Sequence, residues 1–435
     1  MSPKCIDLFA GCGGLSLGLG AAGFEVVLGV EGNADAFATY ERNLLGQRRS
    51  KHGWPRWIER RAWRAEDILA RHFKEISSLS GKIDLLAGGP PCQGFTTNGL
   101  RHPDDPRSKL VDVYLQYVET LSPHLALLEN VRGFVSMKHN VAGTYADYVR
   151  NEFSRLGYQC WDAIIHCSEW GIPQRRPRFI LVAAPIGSLP GIDPMERLRV
   201  QRRSFLENRG LGPTPTSARD ALSDFCTSSC EKQLDVEWGH LGFKTLKRRD
   251  DVRLSPYQKL MRRHSSEEVS DMRLARHSLA AIDRMQEILN TCERGTCVRP
   301  KDREKLGLRK RSTTPLDPDA PAPTVSTLPD DLVHYSQPRS MSVREHARLQ
   351  SFPDWFSFCG PYTSGGKRRR YACPRFTQVA NAVPPLLAEA LGEMLLGLLA
   401  VKRLNDLNHR SKRVDVFSKC LSQDREVGKA EICAL

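Results

Sequence analysis

The stretch DLFAGCGGLSLGL (Asp7–Leu19) changes character twice in thirteen residues. An apolar run from Cys5 to Ala10 ends in three glycines, Gly11, Gly13 and Gly14, and Leu15–Ala22 then takes helical spacing. The pattern predicts a strand, a tight turn and a helix start. Such a turn is either purely structural or a cradle in which a ligand lies against backbone at a helix N-terminus. A second strand, Glu25–Val30, is followed by Glu31, about where an acidic residue meets ribose hydroxyls. The dinucleotide fingerprint G-x-G-x-x-G is incomplete, which favours an adenosine ligand without a diphosphate.

Outward from that stretch the same alternation continues. Ala34–Asn43 reads as a helix, Ile83–Ala87 as a strand, Val111–Leu121 as a helix and Leu125–Val131 as a strand. Gln159–His166 and Arg178–Ala184 read as a closing pair of strands. Strand and helix in alternation predict a mostly parallel sheet covered on both faces. From about residue 190 to 310 the chain turns basic and weakly periodic, with a helix over Ala280–Leu289. Pro315–Pro338 reads as a connector. Ser342–Gln350 reads as a helix with Ser342 as N-cap and Glu345 completing a capping box. Pro384–Ala400 is a late helix whose apolar face (Leu387, Leu391, Met394, Leu395, Leu398) is expected to return to the first sheet.

Composition narrows the function classes. The 435 residues carry 64 Lys+Arg against 50 Asp+Glu, a formal charge of +14 that suits a polyanionic partner. The 13 cysteines are scattered and odd in number, and no apolar run reaches membrane-span length. We expect an intracellular, reduced protein with no membrane contact. Cys226/Cys230 and Cys292/Cys297 lack zinc-ligand spacing, so no metal is expected.

Four further motifs carry chemistry. GGPPCQGF (Gly88–Phe95) holds Cys92 stiffly behind Pro90 and Pro91, as a buried thiol or as a nucleophile. AEDI places Asp67 at an expected strand end, where it is either a turn or helix cap or an acceptor for an adenine amino group. LLENVRGF puts Glu129 at the carboxyl end of a strand, where it either caps a helix or donates a proton to a ring nitrogen. GIPQRRPRFILV carries Arg176 and Arg178 on one side of an extended segment, as a solvated charge run or as grips for phosphate or a base carbonyl.

Taken in order, DLFAGCGG, GGPPCQGF, ENV, QRRPR, SVREHARLQSFP and QVANAVPP resemble the C5-cytosine DNA methyltransferase family, of the bacterial modification type. The resemblance covers residues 5–185 and about 315–400. It implies a Rossmann-like S-adenosylmethionine-dependent fold, α/β with a mixed, mostly parallel seven-stranded sheet, and a second, smaller target-recognition domain. The implied domains are a catalytic part at 1–189, target recognition at 190–312, a return to the catalytic domain at 313–401, and a charged tail at 402–435. Cys92 would be the nucleophile adding to cytosine C6, and Glu129 would act at N3. Arg176 would support Glu129 and the base O2, with Arg178 as a second anchor. Phe9, Gly11, Gly13, Gly14, Glu31, Asp67, Pro90 and Asn381 would hold S-adenosylmethionine. Gln93–Gly99 would be a mobile catalytic loop.

The implied partner is double-stranded DNA, its target cytosine flipped out of the stack. A cytoplasmic monomer working at the nucleoid, functionally paired with a restriction endonuclease, is expected. With the motifs beginning at the N-terminus, a stand-alone modification enzyme is favoured over a large maintenance enzyme. An RNA cytosine methyltransferase and an inactive DNA-binding homologue are the alternatives. One position departs from the family: Ala380 stands before Asn381 where glycine is usual, and its methyl requires φ < 0.

Overall fold

Alternate residues of the central strands feed two different cores. The computed structural model describes residues 2–46, 51–91, 109–139, 142–226, 230–237, 239–248, 253–265, 268–363 and 372–403. Its strands are β1 (Lys4–Leu8), β2 (Glu25–Val30), β3 (Leu85–Gly88), β4 (Leu125–Val131), β5 (Tyr158–His166), β6 (Gln174–Arg175) and β7 (Pro177–Pro185). Leu125 and Leu127 of β4, with Ile180 and Val182 of β7, enter one core. Ala126, Leu128, Phe179 and Leu181 enter the other. Side chains alternate across a strand, so runs that are apolar throughout are buried on both faces.

Six strands form the sheet among the described residues, in the order β2-β1-β3-β4-β7-β5. The first four are parallel, while β4–β7 and β7–β5 are antiparallel, so the expected closing pair forms one edge. Where the resemblance implied a seventh strand, the two-residue β6 pairs separately with Ala322–Pro323.

The C-terminal return is built by interlocking. Helix α1 (Gly14–Ala22) carries Gly14 and Gly18 on one face. A Cβ on Gly14 would lie 2.3 Å from the Val383 carbonyl, and one on Gly18 would lie 2.3 Å from that of Pro385. Only glycine lets residues 383–388 press this closely on α1. The late helix continues over residues 385–403, and all five of its expected apolar residues are buried. The helical stretch Arg375–Arg403 is long and apolar enough to cross a membrane, yet most of its apolar part is packed inside the protein.

Helix α2 (Ala34–Tyr40) begins at an Asn33 N-cap and widens into a π-turn over Glu41–Leu45, where a longer regular helix was expected. Asn43 explains the widening: its Nδ2 donates to the carbonyls of Thr39 and Ser357, each at 2.7 Å. Inserting that side chain between turns suits a π-bulge.

The basic segment is better ordered than its weak periodicity suggested. Helix Pro194–Glu207 has an Asp193 N-cap and Pro194 at its start, and Leu198, Phe205 and Leu206 join the first core. Helix Leu279–Thr291 forms as expected. Farther out, Phe225, Cys230, Leu246 and Met272 make one small core, and Ile288, Val298 and Leu306 another.

A belt of buried ion pairs joins this segment to the helix Val343–Leu349, whose capping box forms between Ser342 and Glu345. Arg348 reaches Asp224 at 3.0 Å and Asp354 at 2.6 Å, and Arg262 also reaches Asp224 at 2.7 Å. Arg344 lies beside Asp271, which Arg375 grips at 3.0 Å. Both Arg344 and Arg348 are wholly buried.

Candidate active site

At the carboxyl end of β1 the chain turns tightly. Ala10 N–H donates to the Val30 carbonyl and Gly13 N–H to that of Ala10, both at 2.9 Å. Phe9, Gly11 and Gly13 all take positive φ, at 59°, 58° and 100°. Phe9 is the one residue of the three that pays for this with a side chain, which packs on the second core. Gly13 is squeezed by Leu44 and Tyr40, and Gly14 by the C-terminal return, so both glycines serve packing. Gly11 differs: a Cβ there would meet nothing within 4 Å.

Glu31 holds this turn. Its Oε2 accepts from Gly11 N–H at 2.9 Å and its Oε1 from Asn33 N–H at 2.6 Å. Burial raises its pKa against those backbone donors. The open side of Gly11 beside a half-buried carboxylate fits an adenosyl ligand: backbone for close approach, an acceptor for ribose hydroxyls. Asp67 is not at a strand end. AEDILAR is rich in helix formers and forms α3 (Ala65–Arg71), with Asp67 in its first turn. The chain entering α3 stays near Glu31, because Trp63 N–H donates to the Glu31 carbonyl at 2.8 Å.

The second half of the site lies at the ends of β3 and β4. Glu129 Oε1 pairs with Arg178 Nε at 2.7 Å, both groups almost fully buried. Burial raises the Glu129 pKa, and the charges of Arg178 and then Arg176 pull it back. The close ion pair to Glu129 is made by Arg178. Arg176 instead sends Nη2 to the Ala380 carbonyl at 2.6 Å. Alternation put both arginines on one side, but not which guanidinium would reach the carboxylate.

The double glycine of GGPP also has a local reason. A Cβ on Gly89 would stand 3.1 Å from Glu129 Oε2. Pro90 is buried, and its carbonyl accepts from Asn130 Nδ2 at 3.2 Å. Asn130 therefore ties the approach to Cys92 onto β4, a role the sequence reading missed. Cys92 and Gln93–Gly99 lie outside the described residues; Pro91 is the last one described before them.

Asn381 ends the helix Arg375–Asn381 and is exposed. Ala380 sits inside that helix with its methyl buried, and it is not among the residues with positive φ. The helix is tied to the glycine turn by Cys12, whose Sγ lies 3.7 Å from the Gln378 carbonyl. Thr39 Oγ1 also donates to Gln378 Oε1 at 2.6 Å. Beneath the turn, Asp7 is wholly buried and accepts from Ser16 Oγ at 2.6 Å. Burial pushes its carboxyl up to about 7. Among the described residues no cluster of His, Cys, Asp and Glu could hold a metal ion.

The family model for C-5 cytosine-specific DNA methylases matches residues 3–397. The Type II methyltransferase M.DdeI of Desulfomicrobium norvegicum is 28% identical, covering 94% of this chain and 92% of that one. The Type II methyltransferase M.AgeI of Thalassovita gelatinovora is 29% identical, covering 90% and 99%. Among solved structures, an E. coli prophage protein described as a DNA modification methyltransferase superposes with a TM-score of 0.63 at 24% identity. The match covers 92% of this chain and all of that one, and shows the shared fold.

Proposed function

The chain belongs to the C-5 cytosine-specific DNA methylase family and methylates C5 of cytosine in DNA; from that premise we propose how its own residues carry the reaction. S-adenosylmethionine supplies the methyl group, as an electrophilic carbon on a sulfonium. Phe9, Gly11, Gly13, Gly14, Glu31, Asp67, Pro90 and Asn381 form its site, with Glu31 on the ribose and Asp67 on the adenine amino group. Gly13 and Gly14 act by letting the turn pack. Gly11 is the backbone that the ligand approaches.

Cytosine C5 is a poor nucleophile. The Cys92 thiolate adds to C6 of a flipped-out base, and electron density moves toward C5. Glu129 holds a proton at N3 and so stabilises the ring as the thiolate adds. Arg178 orients Glu129, and Arg176 braces the site through Ala380 while facing the base O2. Once C5 has taken up the methyl group, loss of its proton expels the Cys92 thiolate and restores the ring. The observation that carries this reading is the buried Glu129–Arg178 pair, in which burial raises the proton affinity of the Glu129 carboxyl above that of an ordinary carboxylate. The pair stands beside Gly89 and Pro90, which lead into Cys92.

Residues 190–312 act in target recognition, supported by their basic composition and their small outer cores. The designation of the relatives as Type II methyltransferases supports a modification enzyme that protects DNA sites from a paired restriction endonuclease. We infer that it works as a monomer, in the cytoplasm at the nucleoid.

The test is bisulfite sequencing of unmethylated DNA after incubation with the protein and S-adenosylmethionine, with Cys92→Ala alongside. Protected cytosines in one recurring site, lost in Cys92→Ala with cofactor binding intact, are expected. Equal protection by Cys92→Ala would overturn the assigned nucleophile.

A further inference from the structure

The ribbon of Cys230–Leu234 and Lys244–Arg248 takes no part in the site above. Its strands run antiparallel, with Glu231 opposite Lys247 and Gln233 opposite Thr245. Residues directly opposed share a face, and faces alternate along each strand. Cys230 and Leu246 point inward to the small core with Phe225 and Met272. Glu231, Gln233, Thr245 and Lys247 therefore make the outer face. Three of these are exposed and Thr245 is half-buried. Among the described residues none of the four side chains has a hydrogen-bond or ion-pair partner, although Glu231 and Lys247 stand opposite one another.

The turn of the ribbon is unusual too. Leu234, Val236 and Leu241 are 64%, 98% and 47% exposed. They are three of the seven large apolar side chains most exposed among the described residues, gathered within one short loop. Apolar surface concentrated this way marks a contact site.

The ribbon is also fixed relative to the catalytic residues. The Arg273 guanidinium lies 4.5 Å from the Phe243 ring and 3.5 Å from that of Tyr362, and Arg375 covers Tyr362 at 4.2 Å. Arg375 also reaches Glu237, in the ribbon's turn, at 3.4 Å. Arg375 opens the helix in which Ala380 accepts from Arg176. Five residues of helix rise about 8 Å, two to three base steps of DNA.

We propose that the outer face of this ribbon (Glu231, Gln233, Thr245 and Lys247) reads base edges in the major groove beside the target cytosine. A two-stranded ribbon fits that groove. The four side chains supply the chemistry of direct readout: a carboxylate for cytosine N4, an amide for adenine, an ammonium for guanine O6 and N7, and a hydroxyl that serves either way. Val236, in the ribbon's turn, suits a thymine methyl group. The inference rests on the DNA-methylating reading and assigns its sequence specificity.

The test uses the full chain and a pool of randomised duplexes, sequencing both the methylated and the bound fractions. Glu231→Gln, Gln233→Ala and Lys247→Gln are compared with Lys232→Gln, on the other face. At least one outer-face variant is expected to lose discrimination at one or two positions by roughly 5- to 150-fold, while Lys232→Gln selects the wild-type sequence. Reading the bound fraction keeps the test valid for a variant with impaired catalysis. Outer-face variants that all select the unchanged wild-type sequence would overturn the ribbon's role alone. A wild-type protein that methylates no duplex would overturn the DNA-methylating reading and this proposal with it.

Discussion

Two buried glutamates, Glu129 at the active site and Glu345 in the ion-pair belt, each face an arginine, and their proton affinities move in opposite directions. Glu345 accepts from both ends of Arg339, at 2.7 and 2.8 Å, and from Ser342 N–H at 2.6 Å. Despite burial, these partners hold its carboxyl down at about 2. Glu129 pairs with Arg178 Nε at 2.7 Å, and there burial wins and the carboxyl is raised. An arginine counter-charge alone therefore does not fix the direction of the shift, because burial can outweigh it.

The contrast breaks most sharply under substitution at the active site. Glu129→Gln is expected to lower kcat about 10²- to 10⁴-fold, measured as methyl transfer to DNA. Because the raised pKa makes the ionised form a cost to folding that grows as pH rises, its stability at pH 7 should equal or exceed wild type. A large loss of stability would erase the distinction from Glu345. Next in size is Arg348→Met, which removes the guanidinium gripping both oxygens of buried Asp354. It should cost about 3–5 kcal/mol in urea denaturation.

The pH dependence sharpens the comparison further. A depressed carboxyl contributes stability above its ordinary pKa and loses it as pH falls toward its folded value. For Glu345, held at about 2 against an ordinary 4.5, that contribution is about 3 kcal/mol at neutral pH. It should fade between roughly pH 5 and 2. Glu345→Gln should flatten this acid limb in denaturation curves taken at successive pH values, and Glu129→Gln should not. The smallest expected effect is that of Ala380→Gly. Restoring the glycine usual in the family should lower stability by about 1 kcal/mol, because Ala380 is helical. Activity should be unchanged in the same methylation assay.

Sequence reasoning reached furthest where one local pattern decides structure. The turn of Gly11–Gly14, the capping box at Ser342 and the double-sided strands were legible from spacing alone. It fell short where the deciding partner is remote. Arg348 meets Asp224 across 124 positions, and nothing near Arg348 marks it as buried. Charged residues occupy four of the seven positions of Val343–Leu349, counting His346, a composition that reads as a solvated helix. Arg176 and Arg178 were legible as sharing one side of an extended segment, but the reach of Arg176 to the Ala380 carbonyl, 204 positions later, was not. Asp67 was read at a strand end or as a turn or helix cap, and it stands in the first turn of a helix.

The close seating of residues 383–388 on Gly14 and Gly18 has a consequence for synthesis. At cellular translation rates the ribosome needs roughly 20–70 s to travel from α1 to its packing partner. Throughout that interval the helix beneath the cofactor turn lacks the surface it is cut to fit. A nascent chain therefore carries its binding motif long before it can use it, and a product cut short anywhere upstream of Val383 leaves α1 without its partner.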